Sequence, residues 1–256
     1  MAGPAATALA VFEDHLVQIE IAVSYLAAAS SAKKHAYQVI NWTSQLPYEI
    51  KEVKTFLDAK PYPEQLHCNS NYLSSVAAFE QFLREALESA IRARVNSASS
   101  FDQLGDIVQD MHMKATGRLL TMKEKPPQQL GRLDFFEVCR RIGTCLPGST
   151  TFEFNSEALC LQGDLLELES FFDTLNKFGY TIGFDKLGAD AGLRTCFGAS
   201  NTRKTRKALE AYVEDMTRQR NRIAHTGTSA SQVTPAVLAE HLVVLRSLAQ
   251  AVAGAM

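Results

Sequence analysis

Apolar residues in this chain return every three or four positions, stretch after stretch, and proline, glycine or serine clusters separate the stretches. Over about 7–29 the stripe is Leu9, Phe12, Leu16, Ile19, Val23 and Leu26. That spacing gives a helix one apolar face, and a half-buried strand would instead need a period of two. A second helix is expected over about 32–59, interrupted by Pro47 and closed by Pro61 and Pro63, because proline cannot continue a helix. Residues 70–96 carry Leu73, Val76, Phe79, Leu83, Leu87 and Ile91 on one face. After Ser97-Ala98-Ser99-Ser100, helices are expected over about 101–122, where Lys125-Pro126-Pro127 ends the pattern, then 133–145 and 163–178. Asn201-Thr202 supplies an N-cap for a helix to about residue 224, with Gly227 placed to stop it. Thr234-Pro235 opens the terminal helix, a cap followed by proline at the first helical position.

Two stretches break the pattern. Thr151-Phe152-Glu153-Phe154 alternates and could form one short strand in the middle of the chain. Gly179, Gly183, Gly188, Gly192 and Gly198 crowd within twenty residues, yet neither GxGxxG nor a GK[ST] ending occurs, so they read as a connecting loop with a short helix. The expected class is all-α. The expected organisation is an N-terminal helical segment, 1–63, packed on a helical domain, 64–256, with an insert at about 97–199.

Composition narrows the classes further. With 256 residues, 46% hydrophobic and 21% charged, the chain can bury a sizeable core, which excludes disorder and collagen-like repeats. Apolar runs are broken well short of the 18 residues of a membrane span. Residues 1–15 lack Lys or Arg before their apolar part, and Glu13 and Asp14 interrupt it, so no secretory signal is read and a cytoplasmic location is expected. Five cysteines, at 68, 139, 145, 160 and 196, form no CxxC pair; they are expected to be reduced, mostly buried hydrophobes, with no metal and no cofactor. His15, His35, His67, His112 and His241 stand outside any ligand pattern, and Phe135, Phe136, Phe171 and Phe172 read as core aromatics.

Polar residues of catalytic type crowd at one place, RQRNRIAHTG, residues 218–227. Histidine can take or give a proton near neutral pH. The arginine fork matches a phosphate acquiring charge, and asparagine can orient either neighbour. The set suits cleavage of RNA by its own 2'-hydroxyl, which needs no metal. Asn221 and His225 are four apart and share a helix face, whereas Arg220 and His225 would lie roughly 140° apart. They converge only if the helix bends or ends, or if a second copy faces the first.

Arg220-Asn221, three intervening residues, then His225 and Gly227 resemble the R-x4-6-H motif of HEPN domains, in the branch of prokaryotic RNase-like proteins from defence and toxin systems. The block SSVAAFEQFLREAL, residues 74–87, is similar to an earlier helix of that branch. The resemblance covers about 70–96 and 200–253. It implies a HEPN-type helical bundle with additional N-terminal helices, which dimerises so that two motifs share a cleft. It further implies a metal-independent endoribonuclease, a toxin or abortive-infection effector, that leaves a 2',3'-cyclic phosphate and a 5'-hydroxyl. By that resemblance Arg220 stabilises the scissile phosphate, His225 moves protons, Asn221 orients the pair, and Glu80 holds Arg220 or His225. A cognate antitoxin or regulatory partner fits the same reading. The alternative is a non-catalytic HEPN module that binds RNA, a nucleotide or a protein. Two plain readings also stay open: RNRIAH as a solvated basic helix end, and Glu80 paired with Arg84 four residues on.

The net charge of -2 argues against a nucleic-acid partner until its distribution is considered. Arg203, Lys204, Arg206, Lys207, Arg218, Arg220 and Arg222 face only Glu210, Glu214 and Asp215 over residues 203–222, a local balance of +7 − 3 = +4. Arg218, Arg222, Arg203, Lys204, Arg206 and Lys207 are therefore expected to contact RNA phosphates.

Overall fold

The structure, a computed structural model, describes residues 3–40, 63–122, 134–160, 165–226 and 233–256. Within them the order is α1 (Ala6–Ile40), α2 (Pro63–Asn96), a 3-10 turn (Phe101–Leu104), α3 (Asp106–Thr121), α4 (Phe135–Thr144) and α5 (Ser156–Cys160). Then come α6 (Leu168–Lys177), α7 (Phe184–Gly188), α8 (Ala191–Cys196), α9 (Thr202–Thr226) and α10 (Pro235–Ala255). The described residues are all-α and contain no strand.

Several boundaries differ from the sequence reading for local reasons. α1 runs through residues 29–32, where two helices were expected, because Ala-Ser-Ser-Ala contains neither proline nor glycine to break it. Pro63 opens α2 instead of closing an earlier helix, a position where its missing N–H is harmless. Gly105, at φ 80, separates the 3-10 turn from α3, splitting one expected helix. Pro47, Pro61, Lys125-Pro126-Pro127, Gly163 and Gly227 lie outside the described residues.

The short strand expected at 151–154 is not formed. Alternation there serves packing instead: Phe152 meets Phe101 edge-on at 5.6 Å, and Phe154 stacks on His112 at 4.0 Å. Between them Glu153 accepts from Arg140 of α4 at 2.8 Å. The residues form an extended segment held by side chains, with no backbone ladder.

The chain gathers into two units. One comprises residues 1–9, 81–187 and 252–256, and the other residues 10–80 and 188–251. In the first, His112 is fully buried; its Nε2 accepts from the Asn155 N–H at 3.0 Å. Burial holds this ring neutral, with a pKa lowered to about 4. Phe171 and Phe172 are core as expected, but Phe136 is 81% exposed on the solvent side of α4. Cys145 and Cys160 are buried, whereas Cys139 is exposed.

In the second unit, Phe12 of α1 meets Phe79 of α2 at 5.9 Å, and Leu209, Val213 and Met216 of α9 are buried with Leu238, Leu242, Leu245 and Leu248 of α10. α10 is the one described helix long and apolar enough to cross a membrane, but this leucine stripe is buried within the protein. Both predicted caps form: Asn201 Oδ1 accepts from the Lys204 N–H, and Thr234 Oγ1 from the Val237 N–H. Among the clustered glycines, Gly188 is the one that comes close to the start of α9. A Cβ there would stand 2.9 Å from the Thr202 carbonyl oxygen and 3.2 Å from Arg206 Cβ.

Candidate active site

α9 carries the whole 218–225 segment on one unbroken helix. Its buried stripe, Leu209, Val213, Met216 and Ile223, turns the intervening polar residues outward. Asn221, Arg222 and His225 are exposed, and Arg220 is half-buried. The helix does not end between residues 220 and 225, and at regular helix geometry Arg220 and His225 lie roughly 140° apart around its axis. One copy of the chain does not bring them together.

Arg220 is held from two sides. Its Nη1 donates to Asn221 Oδ1 at 3.1 Å, and its Nη2 lies 3.9 Å from Glu80 Oε2 on α2. Arg84, four residues after Glu80, also donates to the Cys160 carbonyl at 2.9 Å.

The basic residues fall into two groups on α9. Arg203, Lys204 and Lys207 are exposed on its first turns, and Arg206 pairs with Glu210 at 2.7 Å. Arg218 pairs with Glu214 at 2.6 Å and with Asp215 at 2.9 Å. Eleven residues separate Lys207 from Arg218, about 16 Å along the helix. All three acidic residues are thus engaged by neighbouring arginines, and Arg203, Lys204 and Lys207 stand exposed on the first turns.

Sequence reasoning missed a cleft of about 500 Å³ beside the motif, formed by α9, α10 and Tyr72 of α2. α9 contributes Tyr212, Asp215, Met216, Arg218, Gln219 and Arg222, and α10 contributes Val237, Glu240, His241 and Val244. Both stripes recur at three and four residues, which is the signal that could have found them. His241 forms the floor, stacked on Tyr72 with ring centroids 4.2 Å apart. Ser75 spends its hydroxyl hydrogen on the Tyr72 carbonyl at 2.7 Å, so His241 Nε2 donates to Ser75 at 3.1 Å and Nδ1 accepts from the Tyr212 hydroxyl at 2.8 Å. Both nitrogens are committed, and the serine has no proton to give the ring, so this is a satisfied core histidine and not a base facing a nucleophile. Burial lowers its pKa to about 3, and burial together with the Asp215 carboxylate pushes the Tyr72 phenol up.

A family model for RiboL-PSP-HEPN matches residues 44–256. The chain belongs to that HEPN family. The match runs through 97–199, outside the residues that carry the motif resemblance, and so includes the irregular 145–155 segment and the glycine-rich connector. Neither the curated proteins nor the solved structures gave a match. Membership supports an RNA-related helical module of nuclease type. Within this HEPN chain, Arg220, Asn221 and His225 share the last two turns of α9, with Glu80 reaching Arg220 from α2. Among the described residues, no group of three or more His, Cys, Asp and Glu gathers as a metal site.

Proposed function

We propose that this HEPN chain is a metal-independent endoribonuclease whose active site is completed by a second copy. The observation that carries the reading is the tethering of Arg220 by Glu80 and Asn221 on a helix whose next turn presents His225 to solvent. A guanidinium held in place before substrate arrives stabilises the charge that develops on a phosphorane without reorganising first. In the reaction the 2'-oxygen attacks the adjacent phosphorus and the bond to the 5'-oxygen breaks. A proton leaves the 2'-hydroxyl and another reaches the departing 5'-oxygen. His225 of the facing copy would take the first proton and return one to the departing oxygen. The exposed cations Arg203, Lys204 and Lys207 then extend phosphate contact along the strand, with Arg206, Arg218 and Arg222.

The cellular role that fits is a cytoplasmic toxin or anti-phage effector restrained by a partner protein. The test is cleavage of single-stranded RNA with and without EDTA, followed by end analysis. Cyclic phosphate ends, insensitivity to EDTA and a loss of about 10²–10³ in rate for Arg220→Ala or His225→Ala are expected. A folded wild-type protein that binds RNA and leaves it intact would establish the non-catalytic module instead. Growth arrest on expression, relieved by His225→Ala, tests the toxin role.

A further inference from the structure

Beside the motif, the cleft between α9 and α10 has the character of a base-reading pocket. Arg222 lies on its wall three residues before His225, one turn down the helix and roughly 60° around it. The cleft is therefore adjacent to the catalytic histidine. Its volume of about 500 Å³ lies within the about 300–1,000 Å³ common for small-ligand sites. The floor is the neutral His241 ring stacked on Tyr72. The walls are polar in a particular way: Asp215 and Gln219 project from α9 and Glu240 from α10. Asp215 is engaged by Arg218 at 2.9 Å, so Glu240 is the carboxylate that meets an incoming group from the opposite wall.

We propose that this cleft receives the nucleobase next to the scissile phosphate, and that Glu240 selects guanine. The inference rests on the ribonuclease reading and deepens it. A carboxylate has two acceptor oxygens side by side, and guanine alone offers two parallel donors to it, N1–H and the N2 amino group. Uracil presents carbonyl oxygens on either side of N3–H, which the carboxylate repels. Adenine and cytosine each offer one donor beside a ring acceptor. Arg222 at the rim holds the phosphate of the same nucleotide, which places the backbone towards His225.

Binding is measured by fluorescence anisotropy with all-deoxy hexamers, dT6 against the same strand carrying one central dG, since DNA lacks the 2'-hydroxyl and is not cut. Wild-type protein should bind the dG strand roughly tenfold more tightly, the scale of one bidentate base contact. Glu240→Gln, and Val244→Phe, which fills the cleft, should each bring the two affinities together while circular dichroism shows an unchanged helical fold. Equal wild-type affinities overturn the assignment, as does a dG preference that survives both folded variants. If neither variant folds, the wild-type comparison decides, repeated as competition between guanosine and uridine monophosphates. The two readings fail separately. RNA cut without regard to guanine removes the cleft assignment and leaves the nuclease, whereas a dG preference in a protein that cuts no RNA does the reverse.

Discussion

Arg220 on α9 faces Glu80 on α2, with Nη2 3.9 Å from Oε2, while its Nη1 donates to Asn221 beside it. The pair is partly solvated, the two side chains being 38% and 28% exposed, so it adds only about 0–1 kcal/mol to stability. Its consequence is positional. Glu80→Gln should leave the melting temperature nearly unchanged but lower kcat by about ten- to a hundredfold with little change in KM, because a small displacement of an aligned group is expensive. Glu80→Asp should recover part of that loss. Unaltered kcat in folded Glu80→Gln, measured on a defined RNA, would show that the carboxylate does not position Arg220.

The unbroken course of α9 makes a second prediction. If each site takes Arg220 from one copy and His225 from the other, then Arg220→Ala and His225→Ala proteins, inactive alone, should regain activity when refolded together. A random mixture holds half heterodimers with one intact site in two, so about one quarter of wild-type activity is expected for an isologous pair. Cleavage assays on mixtures, with mass measured by light scattering, check this. Dimers that stay inactive on mixing would place both groups of a site on one chain.

Gly188 gives a prediction about packing. An added Cβ would stand 2.9 Å from a backbone oxygen of Thr202, and backbone at a helix start cannot turn aside as a flexible side chain can. Gly188→Ala should therefore lower stability by about 1–3 kcal/mol, the usual scale of overpacking. Gly183→Ala, with open space around its Cβ position, is the control. Urea titrations of both variants decide between a structural glycine and an indifferent loop residue.

These positions also show how far the sequence could be read. Helix faces were legible because burial imposes a period: Phe12, Phe79, Leu83 and Leu87 all occupy the stripes the spacing marked, and Asn201 and Thr234 cap where their side chains fit. The motif was legible because catalytic residue types lie close together in the chain. What escaped depends on tertiary neighbours. The alternation at 151–154 has the form of a strand, but no second strand pairs with it, and Arg140 and His112 decide its course. The α9–α10 cleft brings Tyr72, Asp215 and Glu240 together from three helices, and the periodicity within each helix does not say that these faces meet. Nor could the glycine cluster reveal that Gly188, and not its neighbours, is the site of close approach.

Acid should loosen both units, because each buries a neutral histidine. His112 has a pKa lowered to about 4 and His241 to about 3, both by burial, against an ordinary value of 6.5. Well above pH 6.5 neither the folded nor the unfolded chain protonates these rings, and the full stability is present. As pH falls below 6.5 the unfolded chain binds protons that the folded one refuses, so stability declines by up to about 1.4 kcal/mol per pH unit for each ring. The decline levels off only below about pH 4 for His112 and about pH 3 for His241. Glu137 and Glu153, whose pKa values Arg140 lowers from 4.5, add the same sign of dependence only below that value. Urea melts between pH 6.5 and 4.5 therefore isolate the histidines. His112→Gln, which keeps an acceptor for the Asn155 N–H but cannot titrate, should reduce the slope in that window by about half. A wild-type stability that stays flat there would mean that the two rings are charged or hydrated in the folded protein.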